Sequence, residues 1–367
     1  MRIGIDARFF GTKDTGIGRY VRSLILNLAK IDQENTYIIF GGEEIKSEIS
    51  SFNNFVYIPL NTPTYSFEEQ LINPLIFLSY NLDLLHVPHL NAPFLYPRKM
   101  IVTIHDLIKH LSVGPKNSTH NPLFYYFKHF AYKIVTYLVV QRSSKIITPS
   151  QYWKEFLQKF YHLPDEKVIV TYEGVDASFL TKKATNTSQV LEKYGLEKPF
   201  IFYTGNLYPH KNIDLAIKAI DIFNRRHNHK LILAIACSRS IFRERYLSTS
   251  TLKILGFVPD ADLAVIYKEA LALVQPSFIE GFGLIGLEAM TVGLPVLSSN
   301  ASCLPEIYAD AALYFDPLKA EELVENLHQI LTNQELRASL IAKGKKRVKL
   351  FSWSKMAKET LSIYLSC

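Results

Sequence analysis

Cysteine is scarce in this sequence. Cys237, Cys303 and Cys367 have neither the close pairs of a zinc site nor the density of a disulfide framework. This excludes a small bridge-stapled secreted fold and points to a reducing, cytoplasmic setting. The start "MRIGIDARFF" reads directly as a strand and carries no signal-peptide pattern. No uncharged apolar run reaches the ~18 residues a spanning helix needs, so no bilayer-crossing segment is expected. A Gly-x-Gly-x-x-Gly fingerprint is missing as well. The first glycine loop gives Gly16-Ile17-Gly18 and then Arg19-Tyr20-Val21, which argues against a dinucleotide-dependent dehydrogenase. Acids are thin in one region: residues 89–163 hold ten Lys/Arg against only Asp106 and Glu155.

What is present is abundant apolar and aromatic material. A chain of 367 residues with 48% hydrophobic content is long enough for two cored domains. Short apolar runs recur in two series. The first comprises "MRIGIDA", "TYIIFGG", "NFVYIPL", "LDLLHVP", "MIVTIHD", "KIITPS" and "KVIVTYEGV". The second comprises "PFIFYTG", "KLILAIAC", "LKILGFV", "ALALVQP", "LPVLSSN" and "AALYFDP". Continuous rather than alternating runs suit parallel strands covered on both faces, and helical periodicity fills many of the gaps. Between the series, 181–198 begins with the linker-like "KKATNTSQ". The expected organisation is an N-terminal Rossmann-like domain over 1–180, a linker over 181–198 and a second Rossmann-like domain over 199–350. A final segment over 351–367 follows. Ligands of such sheets bind beyond the carboxyl ends of the strands.

The basic, aromatic stretch "NPLFYYFKHFAYKIVTYLVVQRSSK" has two readings. It is a core helix with a solvated basic face, or an amphipathic surface resting on anionic headgroups. No nucleic-acid-binding motif accompanies the charge, so nucleic acid is not an expected partner.

The chemistry sits at the strand ends. In "SFIEGFGLIGLEAMTVGLPVLSSN", Glu280 precedes a Gly-x-Gly turn and Glu288 lies on the helix that follows. If that stretch were helical throughout, eight residues would span about 12 Å, too far for one shared metal or a glycosidase pair. The helix N-terminus between the carboxylates offers free N–H groups suited to phosphate. A ligand with an anionic middle and hydroxyl-rich ends, such as a nucleotide-sugar, fits this layout. Four further features lie at predicted strand ends: Gly16 and Gly18 after the first strand, opening a helix expected to begin near Arg19; His105-Asp106; Gly174-Val175-Asp176; and "YTGNLYPHKN" with Gly205, Asn206, His210 and Lys211. Each alone is as compatible with a turn or a structural side chain as with a site.

Their order, ending in "EGFGLIGLEAMTVGLPVLSSNASCLPEI", resembles the GT-B-fold retaining glycosyltransferases of family 4 across the whole chain. "DARFFGTKDTGIGRYV" together with "PHKN" is most similar to the bacterial O-antigen and lipopolysaccharide mannosyltransferase branch. The resemblance implies an α/β GT-B fold, two Rossmann-like domains facing each other across a cleft, the first on the acceptor side and the second binding the nucleotide-sugar, with a final helix over 351–367 that crosses back to the first and is anchored by Trp353. It implies transfer of a hexose, with mannose foremost, from a nucleotide diphosphate sugar, GDP-mannose foremost, to a glycan or lipid-linked acceptor. It implies anomeric retention, no metal and no further cofactor, in the cytoplasm or peripherally on the inner membrane face.

Carried over, Glu280 lies beside the transferred sugar and Glu288 binds the ribose hydroxyls. The amides of Phe282, Gly283 and Leu284 line the donor. Lys211 binds the diphosphate, with Asn206 and His210 beside it, and His105 with Asp106 lies near sugar and acceptor. Gly16 and Gly18 close over the donor. Two departures stand out: Asn206 and His210 occupy positions where relatives often carry arginine, leaving Arg19 or another basic side chain to supply that charge. A catalytically weak nucleotide-sugar or glycan-binding GT-B scaffold is the alternative from another class. A sugar-nucleotide 2-epimerase shares the fold but lacks the Glu-Gly-Phe-Gly…Glu block.

Overall fold

The computed structural model describes residues 1–11, 15–112, 114, 121–175, 186–237 and 243–367, with backbone alone at 15, 122–124 and 243. The described residues form two compact α/β units, the first comprising Met1–Leu111, Asn121–Gly174 and Ser352–Cys367, the second Ser112, Gly114 and those of Val175–Phe351. Asp176 and residues 181–185 of the expected linker lie outside the described residues. The rest of that span is more regular than its composition suggests. Asn186 caps a short helix, Thr187–Lys193, by accepting from the Gln189 N–H at 3.3 Å, and Gly195 follows at φ +60°.

In the first unit the strands are β1 (Arg2–Asp6), β2 (Thr36–Gly41), β3 (Phe55–Pro59), β4 (Leu84–Val87), β5 (Met100–Thr103), β6 (Lys145–Thr148) and β7 (Val168–Val170). They form one parallel seven-stranded sheet in the order β3-β2-β1-β4-β5-β6-β7. The second unit has β8 (Phe200–Thr204), β9 (Ile232–Ala236), β10 (Leu252–Gly256), β11 (Ala272–Gln275), β12 (Val296–Ser299) and β13 (Ala312–Phe315). Its parallel sheet runs β10-β9-β8-β11-β12-β13. Central strands such as β4 and β9 are buried along their whole length, whereas the edges β3 and β10 are not. That is why the central runs are almost wholly apolar, and the one polar residue within β4, His86, has both ring nitrogens hydrogen-bonded. Both sheets are Rossmann-like, and each reverses its strand order once, at β1/β4 and at β8/β11. Those switch points are where doubly wound sheets bind ligands.

In the second unit the helix Ile213–His227 turns Ile213, Ala216, Ile220 and Phe223 onto the sheet at helical spacing. In the first, helix Thr15–Ile31 packs beside the C-terminal helix Trp353–Leu365, whose Met356, Ala357 and Tyr364 enter the same core. Gly174 admits the Trp353 backbone so closely that a Cβ there would lie 2.1 Å from its nitrogen. No helix among the described residues is long and apolar enough to cross a membrane.

Candidate active site

The expected residues fall into two groups, one per unit. In the second unit they gather at the β8/β11 switch point. The chain leaves β8 through Gly205, at φ +137°, and reaches a short turn over Pro209–Lys211. Asn212 ends that turn in the left-handed conformation, φ 55°, which asparagine tolerates better than most residues. Its amide donates to the carbonyls of Pro276 and Pro317, pinning the turn to the ends of β11 and β13. The Phe278 N–H donates to the His210 carbonyl at 2.8 Å, so the two strand-end loops are stitched together.

Lys211 and Glu280 meet in this stitched region. Lys211 Nζ donates to Glu280 Oε2 at 2.7 Å, and both side chains are about nine-tenths buried. Ser277 Oγ donates to the other carboxylate oxygen at 2.6 Å, and the Glu280 backbone N–H donates to Ser302 Oγ at 3.0 Å. Burial pushes the Glu280 pKa up. The Lys211 ammonium, the Ser277 hydroxyl and the Gln275 amide together outweigh it and hold the carboxyl below its ordinary range. Glu280 is therefore an anion at neutral pH, fixed in direction by two donors.

The next turn begins the helix Leu284–Thr291. Its N-cap is Gly283, at φ 106°, which has no side chain with which to cap the first amides. Gly286 lies one turn on, where an added Cβ would sit 2.3 Å from Tyr308 Oη. Tyr308 packs beneath this turn and donates to the Gly283 carbonyl at 2.7 Å. Phe282 turns its ring into the core, edge-on to Phe351 at 5.6 Å, so only its backbone can meet a ligand. Glu288 is buried on the same helix, with the Tyr267 hydroxyl 3.4 Å from its Oε2.

The two departures from the family pattern have distinct outcomes. His210 stacks on Tyr208 with centroids 5.8 Å apart. Burial, reinforced by the adjacent Lys211 charge, lowers its pKa to about 4, so the ring is neutral and supplies no cation at pH 7. Asn206 accepts the Tyr203 hydroxyl at 2.7 Å through its backbone carbonyl, and its side-chain Oδ1 is buried without a partner among the described residues.

In the first unit, His105 follows β5 next to the β1/β4 switch point. Nδ1 faces Glu173 Oε1 at 2.9 Å and Nε2 faces the Pro88 carbonyl at 3.3 Å, so both ring nitrogens meet oxygen acceptors. Tyr20 packs edge-on against the ring at 4.7 Å. Asp106 Oδ1 accepts the Ile108 N–H at 2.9 Å. His105, Asp106, Ile17 and Lys109 share the lining of a cavity of about 160 Å³. Gly16 and Gly18 differ from expectation. Helix Thr15–Ile31 begins before them, not near Arg19, so they lie within its first turn. Gly18 is required by packing, since a Cβ would lie 2.1 Å from the Gly11 carbonyl oxygen.

Sequence reasoning passed over Glu173 although it lies within the quoted "KVIVTYEGV", because the Gly-Val-Asp beside it carried the resemblance. It also missed Ser277, Ser302 and Tyr308. Only Ser277 had a local signal, its position at the end of β11.

Residues 15–179 match Glycosyltransferase Family 4 and residues 187–347 match Glycosyl transferases group 1. The chain is 25% identical over 373 residues to O-antigen chain mannosyltransferase B of Escherichia coli, covering 95% of this chain and 96% of that protein. It is 27% identical over 263 residues to O-antigen chain mannosyltransferase RfbU of Salmonella typhimurium, covering 68% and 66%. Among solved structures, Anabaena HepE in complex with UDP-glucose superposes with a TM-score of 0.72 over the full length of both chains at 15% identity. The two matched families cover most of the chain in succession, one on each Rossmann-like unit, and the chain belongs to the group 1/family 4 GT-B glycosyltransferases, resembling their O-antigen mannosyltransferase branch.

Proposed function

We propose that this glycosyltransferase moves a hexose, mannose in the first instance, from a nucleotide diphosphate donor to a glycan or lipid-linked acceptor with retention at the anomeric carbon. The observation that carries the reading is the buried Lys211–Glu280 pair beside the uncapped helix start at Gly283-Leu284. An ammonium and a row of backbone N–H groups then face the departing diphosphate. Preorganised charge of that kind often contributes more to catalysis than any other single effect. Glu280 orients Lys211 and accepts sugar hydroxyls, while Glu288 holds the ribose.

In the proposed step the acceptor oxygen forms its bond to the anomeric carbon on the face from which the diphosphate leaves. The bond to the diphosphate oxygen breaks with its electron pair, and a diphosphate oxygen takes the acceptor's proton. No metal enters the scheme. His105, held by Glu173, positions the sugar rather than acting as a free base. GDP-mannose is the foremost donor because O-antigen mannosyltransferases are among the relatives; HepE, solved with UDP-glucose, makes UDP-sugars the second choice.

Exposed aromatic and aliphatic side chains on helix Pro122–Arg142, among them Tyr126, Phe127, Phe130 and Tyr137, stand with the exposed Lys128 and Lys133. This supports peripheral contact with an anionic membrane that presents the acceptor.

The test is a donor panel of GDP-mannose, UDP-glucose, UDP-galactose and UDP-N-acetylglucosamine with a chelator present. Thermal stabilisation and nucleotide release are followed together. One donor that both stabilises the protein and turns over supports the reading. Stabilisation without turnover, lipid-linked acceptors included, would turn it into a donor-binding scaffold.

A further inference from the structure

The cavity beside His105 contains a charge that the donor chemistry does not use. Lys109 Nζ lies 4.8 Å from the ring centroid of Tyr65 and 5.6 Å from that of Tyr132, so aromatic faces flank the ammonium. Among the described residues it has neither a hydrogen-bond nor an ion-pair partner. Ring faces attract a cation but leave its three N–H donors without acceptors.

The polar neighbours do not fill that role. Asp106 spends Oδ1 on the Ile108 N–H, and its attraction fails to offset the burial that lowers the Lys109 pKa. His89 accepts the Asn91 N–H at Nδ1, 3.0 Å away, so its single ring proton sits on Nε2 and is given to Tyr65 Oη at 3.0 Å. Burial drops the His89 pKa to about 3, so this tautomer stays neutral. Tyr65 Oη thus accepts a hydrogen bond from His89 and keeps its own hydroxyl hydrogen to donate elsewhere. An ammonium without an acceptor and a phenol with a proton to give converge on a cavity of about 160 Å³. Such a pair of donors is matched by an oxyanion.

We propose that this cavity seats an anionic oxygen group of the acceptor, with Lys109 as the recognising charge and the Tyr65 hydroxyl as a second donor. The inference rests on the reading of the chain as a sugar transferase with its acceptor on the first unit. It narrows the acceptor class to molecules bearing a phosphate or carboxylate near the receiving hydroxyl. That charge comes either from the phosphate joining a glycan to its lipid or from an acidic group on the sugar itself.

Three synthetic acceptors separate these sources: a neutral octyl mannoside, an octyl-phosphate-linked mannoside and an octyl mannoside with a ring phosphate. The full-length protein and Lys109→Met are compared in kcat/KM, with Lys109→Arg as the conservative control and melting midpoints as the check on folding. The expected result is a preference of at least about tenfold for one charged acceptor, lost in Lys109→Met and largely restored in Lys109→Arg. Equal losses on all three acceptors, or no preference in the wild type, would overturn the proposal.

A second arm needs no transfer: inorganic phosphate is titrated calorimetrically into protein saturated with GDP. Phosphate affinity at least tenfold weaker in Lys109→Met supports the anion seat even if no donor is ever turned over, an outcome that would sink the transferase reading alone. Equal affinity in both proteins, with transfer intact, removes the seat and leaves the transferase.

Discussion

At Glu280 two large effects oppose each other, and the balance decides what a substitution does. Burial disfavours the carboxylate, while Lys211, Ser277 and Gln275 favour it by more. Removing one member of a buried ion pair leaves the other uncompensated, typically at a cost of about 3 to 5 kcal/mol. Lys211→Ala is therefore expected to lower stability by about that amount and to raise the Glu280 pKa. Turnover should fall at least about a hundredfold if, as proposed, Lys211 is the cation facing the diphosphate. The double variant Lys211→Met with Glu280→Gln separates the two effects. It should recover most of the stability in a denaturant titration and none of the turnover in a nucleotide-release assay. Full turnover in Lys211→Ala would remove Lys211 from the phosphate role.

At the scale of elements, the helix Leu284–Thr291 is held by what lies under it rather than by its own short sequence. Gly283 and Gly286 leave room for Tyr308, which comes from 22 residues beyond Gly286 in the chain. The placement of Glu280, Glu288 and Lys211 in strand-end turns and on the following helix was legible because its signals are local: an apolar run ending in a polar loop, then a glycine turn, then helical spacing. Tyr308, Ser302 and the Glu173–His105 contact were not, because tertiary structure brings them together over 22 to 68 residues. Thr15–Ile31 began earlier than expected for a related reason: the tight approach of Gly18 to the Gly11 carbonyl fixes the first turn. The helix Pro122–Arg142 was ambiguous in sequence between core and surface. The structure leaves Phe127 and Phe130 64 to 66% exposed. Phe127→Ser with Phe130→Ser is expected to cut co-sedimentation with phosphatidylserine-containing vesicles several-fold while leaving the melting midpoint nearly unchanged. Unaltered co-sedimentation would separate this face from membrane contact.

At the scale of the whole molecule, acid stability is set largely by histidines buried as neutral rings. His86 donates and accepts within a closed chain, with Nδ1 2.6 Å from Tyr364 Oη and Nε2 2.8 Å from Thr103 Oγ1. Burial drives its pKa to about 3, and that of His89 to about 3 as well. Unfolded histidine titrates near 6.5, so between that pH and about 3 the unfolded chain binds more protons than the folded one. Stability then falls with falling pH, by up to about 1.4 kcal/mol per pH unit for each such ring. Glu280, with its pKa depressed, keeps its contribution until the pH drops below the ordinary carboxylate range. Glu69 and Glu359, raised by burial, act in the opposite sense near that range. The window from pH 6.5 to 5 thus belongs mainly to the histidines. Both tryptophans, Trp153 and Trp353, lie in the same unit as His86 and His89, so their fluorescence follows the unfolding of that unit. Denaturant titrations read by tryptophan should show stability falling steeply from pH 6.5 to pH 5. His86→Asn should flatten that slope by about one histidine's worth, about 1.4 kcal/mol per pH unit, whatever it does to stability at pH 7. A slope unchanged by His86→Asn would mean that His86 gains its proton without unfolding, and that the Tyr364–His86–Thr103 chain does not hold the ring neutral.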